Sequence, residues 1–151
     1  MNTQINGNPV KILLVEDNPG DIRLTKEALR EGKVNNEMFI VTDGLEALAF
    51  LNQKGQYANA PRPDVILLDL NLPLMNGAEV LANIKADPRL KRIPVIVLTT
   101  SDDERDILKS YDLHANAYVT KPVDLEHFIE IIGQIEGFWL TIVKLPPTNQ
   151  I

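Results

Sequence analysis

Residues 65–77 read VILLDLNLPLMNG: four apolar residues, then Asp69, then a proline-containing turn that ends at Asn76-Gly77. A short aliphatic run bounded by turn residues is typical of a strand that is buried on both faces in a parallel sheet. Apolar residues then recur at spacings of three and four over Gly77–Ala86, which predicts a helix. The stretch therefore predicts a strand, a turn and a helix, with an acid at the carboxyl end of the strand.

The same alternation continues on both sides of this stretch. Further strands are predicted at Val10–Val15, Met38–Thr42, Pro94–Thr99 and Ala117–Val119, besides Val65–Leu68 itself. Further helices are predicted at Asp21–Glu31, Leu45–Asn52, Asp103–Leu113 and Leu125–Ile135, with Asp124 as an N-cap and Gln53–Pro63 as a surface loop. Five strand–helix repeats predict an α/β fold of the flavodoxin type, a doubly wound five-stranded parallel sheet in the order 2-1-3-4-5.

Composition limits the classes of function. A chain of 151 residues with 44% hydrophobic and 24% charged residues fits one globular domain, which we place at 10–137 between a disordered segment 1–9 and an extension 138–151. The net charge of −6 argues against nucleic acid or membrane partners. The absence of cysteine, of a secretory signal and of a long apolar run leads us to expect a cytoplasmic protein.

Polar residues follow the carboxyl ends of four predicted strands. Glu16-Asp17 follow the first strand, Asp69 the third, Thr99 ends the fourth, and Lys121 comes just after the fifth. Open parallel sheets bind ligands at this edge, where the strand order reverses. Because the first and third strands are neighbours in the predicted order, we expect the three acids to lie close together.

Carboxylates that lie close together repel one another unless a cation neutralises them. Oxygen ligands without cysteine or histidine favour Mg²⁺, which commonly binds phosphate oxygens as well. Lys121 could pair with one phosphoryl oxygen and Thr99 could donate a hydrogen bond to another. The residues therefore predict a magnesium site for phosphoryl transfer.

Four strings resemble the response-regulator receiver family, whose fold is called CheY-like, over about residues 10–134. They are ILLVEDN (12–18), VILLDLNLPLMNG (65–77), PVIVLT (94–99) and AYVTKP (117–122). The match implies a single-domain response regulator of a two-component system, a signalling phosphoprotein rather than an enzyme, with intrinsic self-phosphorylation and self-dephosphorylation chemistry. Many members carry two aspartates where this chain has Glu16-Asp17.

The resemblance also implies a role for each matching residue. Asp69 would be the phosphoacceptor that takes a phosphoryl group from a histidine kinase, with Thr99 and Lys121 assisting. Asp17, Asp69 and the backbone carbonyl of Asn71 would bind Mg²⁺ directly, and Glu16 would bind it through water. Thr99 and Tyr118 would form the switch pair, in which the hydroxyl moves toward the phosphoryl group and the ring turns inward.

The C-terminal extension is unusually apolar. We expect a homodimer interface at Phe138, Trp139, Leu140 and Ile142, because exposed apolar patches of this kind usually mark an interface. The alternative is that the extension folds back on its own core. The Phe-Trp-Leu and Lys-Leu-Pro pieces resemble the stand-alone regulators that pair with cyanobacterial phytochrome kinases, so a phytochrome is the expected kinase. Because the residues after the receiver are too few for a DNA-binding or catalytic domain, we expect the output to be a contact with an unknown downstream protein.

Other readings of the motifs are open to test. The strongest is a receiver-shaped interaction module that works without phosphorylation. A flavin-binding protein is disfavoured, because two acids after the first strand would repel a phosphate. A nucleotide hydrolase needs a glycine-rich phosphate loop that the sequence lacks, and a haloacid-dehalogenase-like phosphatase would have an acid where Asn71 stands.

Overall fold

The computed structural model describes residues 9–31, 35–100, 113, 115–121, 124 and 126–127. The strands are β1 Val10–Val15, β2 Asn36–Val41, β3 Val65–Asp69, β4 Val95–Thr99 and β5 Ala117–Thr120. The α-helices within these residues are α1 Pro19–Glu31, α2 Gly44–Leu51 and α3 Gly77–Ala86, and a 3₁₀ turn covers Gly55–Tyr57. No helix in this part of the chain has the length and apolar character needed to span a bilayer.

All five strands belong to one parallel sheet, in the order β2-β1-β3-β4-β5. β1 lies between β2 and β3 and pairs with both, so Val15 lies opposite Val41 on one side and Leu68 on the other. β4 then pairs with β3 and β5, with Leu98 opposite Asp69 and Thr99 opposite Thr120. The predicted fold class and strand order are confirmed.

The five predicted strands and the first three predicted helices are recovered with small shifts at their ends. β2 begins two residues before Met38, because Asn36 and Glu37 pair with Val10 and Lys11. An edge strand can carry such polar residues because one of its sides faces water. α1 begins at Pro19 rather than Asp21, as proline fits the first turn of a helix.

Predictions near the C-terminus are tested only in part. Leu113, predicted as the end of a helix, is not helical, and the rest of Asp103–Leu113 lies outside the described residues. Residues 126–127 are helical, and Glu126 donates its N–H to Asp124 Oδ1 at 3.1 Å, as an N-cap would require. The remainder of Leu125–Ile135 and all of 138–151 lie outside the described residues.

Two apolar layers cover the sheet, one on each face. Successive strand residues point to opposite faces, so Ile66 and Leu68 join α2 and α3 in one buried cluster, while Val65 and Leu67 join Leu29 of α1 in the other. Each fully buried aliphatic side chain contributes about 1.5–3 kcal/mol relative to an exposed one. This two-sided burial explains why the inner strands are apolar along most of their length.

The turn after β3 is held tightly against the start of α3. Asn76 caps α3 by accepting the N–H of Glu79, whose side chain accepts the N–H of Asn76 in return. Gly77, the first residue of α3, donates its N–H to the Leu70 carbonyl at 2.9 Å. A Cβ at position 77 would overlap the Asp69 carbonyl oxygen, so only glycine lets the helix start this close to the end of β3.

We expect Gly77→Ala to lower the free energy of unfolding by about 1–3 kcal/mol, the usual cost of forcing extra atoms into a packed site. Alanine's better helix propensity acts in the opposite direction but amounts to less than about 1 kcal/mol. Urea unfolding measures the difference. Gly20→Ala in α1 is the matched control, because its Cβ would meet only the Asn18 side-chain oxygen, at 3.2 Å. Equal effects of the two substitutions would contradict the packing argument.

Candidate functional site

Four strands deliver polar side chains to one edge of the sheet. Glu16 directly follows β1, Asp69 and Thr99 are the last residues of β3 and β4, and Lys121 directly follows β5. Since the strands are parallel and adjacent, their carboxyl ends lie side by side. Glu16, Asp69 and Thr99 are all buried. Burial is unusual for the two acids and marks this edge of the sheet as a structured site rather than a solvated surface.

Three acids converge here as the sequence predicts. Glu16, Asp17 and Asp69 each offer a carboxylate oxygen, and these three oxygens lie within 4.8 Å of one another. Glu16 and Asp69 are buried, whereas Asp17 is exposed at the mouth of the crevice. Their mutual repulsion in a partly dry site must be offset by positive charge.

Lys121 supplies positive charge from the far side of the crevice. Its Nζ lies 2.8 Å from Glu16 Oε1, 3.1 Å from Asp21 Oδ2 and 3.3 Å from Asp69 Oδ1, and its side chain is only 12% exposed. The Lys121 backbone N–H donates to the Thr99 carbonyl at 2.8 Å, which extends the pairing of β4 and β5 by one bond. The strand pairing thus fixes the backbone position from which the Lys121 side chain extends.

Protonation at this site reflects burial and crowding. The pKa of Glu16 is raised from an ordinary 4.5 to about 7, chiefly by burial; Lys121 opposes the rise and the neighbouring Asp69 adds to it. Burial alone would lower the pKa of Lys121, but the carboxylates of Glu16 and Asp21 and the charge of Asp69 outweigh it and raise the pKa above 10.5. Lys121 therefore stays positively charged, whereas the positive charge beside Glu16 is too little to offset the burial of its carboxylate.

The donor set fits a divalent cation. Carboxylate oxygens are ligands that Mg²⁺ and Mn²⁺ prefer, and the three acids are close enough to share one ion. Glu16 Oε1 is buried and, among the described residues, has no hydrogen-bond partner, although the Lys121 ammonium lies 2.8 Å away as an ion-pair partner. A buried oxygen with spare acceptor capacity, beside two other acids, is what a metal or an ordered water on a metal would satisfy.

The remaining predicted residues lie around this cluster. Asn71 follows β3 and donates its backbone N–H to Asp69 Oδ1 at 3.3 Å. Tyr118 is on β5, opposite Val97, and is half-buried against the apolar cluster on the α2 and α3 face. Phe138, Trp139, Leu140 and Ile142 lie outside the described residues.

Asp21 is a site residue that the sequence did not single out. The motif pattern treats it as an acid in the first turn of α1, where negative charge is common. Its carboxylate instead accepts a hydrogen bond from Lys121, a residue 100 positions later in the chain. Only the tertiary fold brings the two together, and no local spacing in the sequence signals the contact.

Comparison with known proteins agrees with this geometry. The family model described as the response regulator receiver domain matches residues 12–133. The chain is similar to the response regulator Rcp1 of Synechocystis sp., with 54% identity over 140 residues that cover 92% of this chain and 95% of Rcp1.

Solved structures give the same assignment. The phosphorylated cyanobacterial phytochrome response regulator RcpA matches with a TM-score of 0.72 and 58% identity, over 89% of this chain and 96% of RcpA. The Mn²⁺-bound form of Rcp1 matches with a TM-score of 0.71 and 54% identity, over 91% of this chain and 99% of that one.

The raised pKa of Glu16 predicts how stability depends on pH in metal-free buffer. An acid whose pKa is higher in the folded state binds more protons there than in the unfolded chain, so the free energy of unfolding falls as pH rises from about 4.5 to 7. We expect this part of the fall, on the order of 1–3 kcal/mol, to be missing in Glu16→Gln. Urea unfolding at several pH values in EDTA measures it; parallel profiles for the two proteins would contradict the assignment.

Proposed function

Because the chain belongs to the response regulator receiver family, whose role is phosphorylation-based signalling, we propose that Asp69 is the residue that accepts the phosphoryl group. One observation carries the proposal. Asp69 ends β3 as a buried carboxylate, within 4.8 Å of the oxygens of two other acids and 3.3 Å from the Lys121 ammonium. An acid in that position has both a site for a cation and a fixed positive charge beside it.

Lys121 and Thr99 would stabilise the charge of the transferred group. Phosphoryl transfer depends mainly on positioning and on electrostatic stabilisation of the equatorial oxygens. Lys121, already beside Asp69, can pair with one of these oxygens, and the Thr99 hydroxyl can donate a hydrogen bond to another. Both groups are held by the ends of β4 and β5, so they need little reorganisation.

The metal in this proposal is Mg²⁺. Asp17, Asp69 and the backbone carbonyl of Asn71 would bind it directly, and Glu16 would bind it through water. When bound, the ion supplies positive charge for the phosphoryl oxygens. Receiver domains bind a divalent metal, and the related Rcp1 has been solved with Mn²⁺. The choice of Mg²⁺ rests on the hard oxygen ligands and on its habit of sharing its shell with phosphate.

The phosphoryl donor we propose is a phosphohistidine on a histidine kinase. An Asp69 oxygen would attack phosphorus, the P–N bond would break, and the leaving imidazole would take up a proton. The product at Asp69 is an acyl phosphate, which the same site could also form from small phosphodonors and hydrolyse with water. Similarity to Rcp1 and to the phytochrome regulator RcpA supports a phytochrome as the kinase.

The signal would pass through Thr99 and Tyr118. The phosphoryl group carries roughly −1.5 to −2 charges and three strong acceptor oxygens, in place of the single charge of the Asp69 carboxylate, and these oxygens can draw the buried Thr99 hydroxyl toward the new group. Tyr118, half-buried one strand away, can then turn into the space. Such a pair of alternative packings gives a two-state switch.

We propose that the receiver domain, residues 10–137, signals by binding an unknown downstream protein. We also propose that two copies of the chain form a homodimer through the extension 138–151. The apolar residues Phe138, Trp139, Leu140 and Ile142 support the dimer because a two-fold contact lets one patch cover its own copy. The cytoplasmic location expected from the sequence stays a prediction.

Phosphorylation is tested by incubating the protein with acetyl phosphate and Mg²⁺ and measuring its mass. We expect a gain of one phosphoryl group that is absent in Asp69→Asn and in the presence of EDTA. Asp64→Asn is the matched control, because Asp64 precedes the opposite end of β3 and accepts the Lys11 N–H there. It should be phosphorylated as the wild type is. No gain in the wild type would favour the phosphorylation-independent module instead.

The dimer is tested by sedimentation velocity. We expect Trp139→Ala to shift the sedimentation profile toward monomer, because truncating a large aromatic anchor at the centre of an interface typically costs 2 kcal/mol or more. Tyr57→Ala, which changes an aromatic residue in the described loop after α2, is the control and should leave the association state unchanged. An unchanged profile for Trp139→Ala would exclude Trp139 as an anchor.

A further inference from the structure

The Lys121 ammonium is surrounded by carboxylates before any phosphoryl group arrives, and it donates a hydrogen bond to one of them, Asp21. It carries three N–H donors, and three carboxylate oxygens lie 2.8–3.3 Å from Nζ, one each from Glu16, Asp21 and Asp69. The three partners are not equivalent. Glu16 and Asp69 belong to the acid cluster that fits a divalent cation, whereas Asp21 does not.

We propose that Asp21 is a positioning residue that keeps the Lys121 ammonium in the crevice while the other two carboxylates are engaged elsewhere. This inference rests on the proposed function, since it concerns the same phosphoryl-acceptor site. Glu16 and Asp69 share their charge with the metal when it is bound, and Asp69 loses its carboxylate charge when it becomes an acyl phosphate. Asp21 alone of the three keeps its full charge for the lysine throughout.

Asp21 is well placed for this role because its backbone is fixed on both sides. Its N–H donates to Asn18 Oδ1 at 3.0 Å, and its carbonyl accepts the Thr25 hydroxyl at 2.9 Å. The Thr25 side chain is itself buried. The first turn of α1 therefore presents the Asp21 carboxylate to the crevice as a rigid acceptor, 3.1 Å from Nζ.

Partial burial makes the contact stronger than a surface ion pair. The Asp21 side chain is 32% exposed and the Lys121 side chain 12% exposed, so solvent screens the pair only in part. Without Asp21, the ammonium would turn wholly to Glu16 and Asp69, and it would compete there with the metal. Loss of Asp21 should therefore weaken metal binding and slow phosphorylation through one cause, the displaced lysine.

The test compares Asp21→Asn with the wild type in two measurements. Calorimetric titration with MgCl₂ alone should show about fivefold weaker binding, and the initial rate of phosphorylation by acetyl phosphate should fall by a similar factor, within the usual range for directly coupled residues. Asp21→Glu keeps the charge and should restore both values toward the wild type. Glu27→Gln removes one charge from the same helix further from the crevice and is the control, expected to match the wild type.

A double-mutant cycle with Lys121→Met tests whether Asp21 acts by positioning Lys121 or only through its own negative charge near the metal site. If Asp21 acts through the lysine, Asp21→Asn should change Mg²⁺ affinity much less in the Lys121→Met background than in the wild type. Equal changes in both backgrounds, or wild-type affinity and rate in Asp21→Asn, would overturn the proposal. Failure of the wild type itself to gain a phosphoryl group would instead refute the proposed function, and the calorimetric cycle would still decide the role of Asp21.

Discussion

Two buried carboxylates side by side, at the end of two adjacent parallel strands, are the constraint on which the site depends. Glu16 and Asp69 are both buried, and with Asp17 their oxygens lie within 4.8 Å of one another. Bringing like charges together out of water costs several kcal/mol unless positive charge is supplied. Here the fold supplies one ammonium, Lys121, against four carboxylates including Asp21. The site is thus built to be short of positive charge, which is the condition for binding a divalent cation.

The sheet and its core hold this unfavourable arrangement in place. The register that pairs Val15 with Leu68 and Asp69 with Leu98 fixes where each strand ends, and the register is set by apolar residues on both faces. Slipping any inner strand by one residue would exchange its two apolar faces and move its terminal acid. Gly77 adds a second restraint by letting α3 begin in contact with the Asp69 backbone. The geometry of the acids is therefore maintained by packing and not by the acids themselves.

How far the sequence predicts this molecule depends on the range of the interactions involved. The strands could be predicted because each is a local apolar run, and the site because its residues follow strand ends whose positions the topology dictates. Strand and helix ends depend on contacts outside the local pattern: Asp69 belongs to β3 because it pairs with Leu98 across the sheet, and α1 begins at Pro19, two residues before the predicted start, with Asn18 as its cap. Asp21 could not be found at all, since its partner is 100 residues away. Contacts of that kind require the three-dimensional structure.

A lysine shared among three carboxylates suits a modification that must be reversible. In the proposed reaction the Asp69 carboxylate loses its charge as one of its oxygens bonds to phosphorus, and the phosphoryl oxygens bring new charge close by, so Lys121 can exchange one acceptor for another without leaving the crevice. The phosphoryl oxygens carry more charge than the carboxylate that they replace, which favours this exchange. The Lys121 backbone bond to Thr99 connects this exchange to the end of β4, and Tyr118 lies on the same short strand as the residues leading into the lysine. The backbone therefore connects Lys121 directly to both residues proposed as the switch.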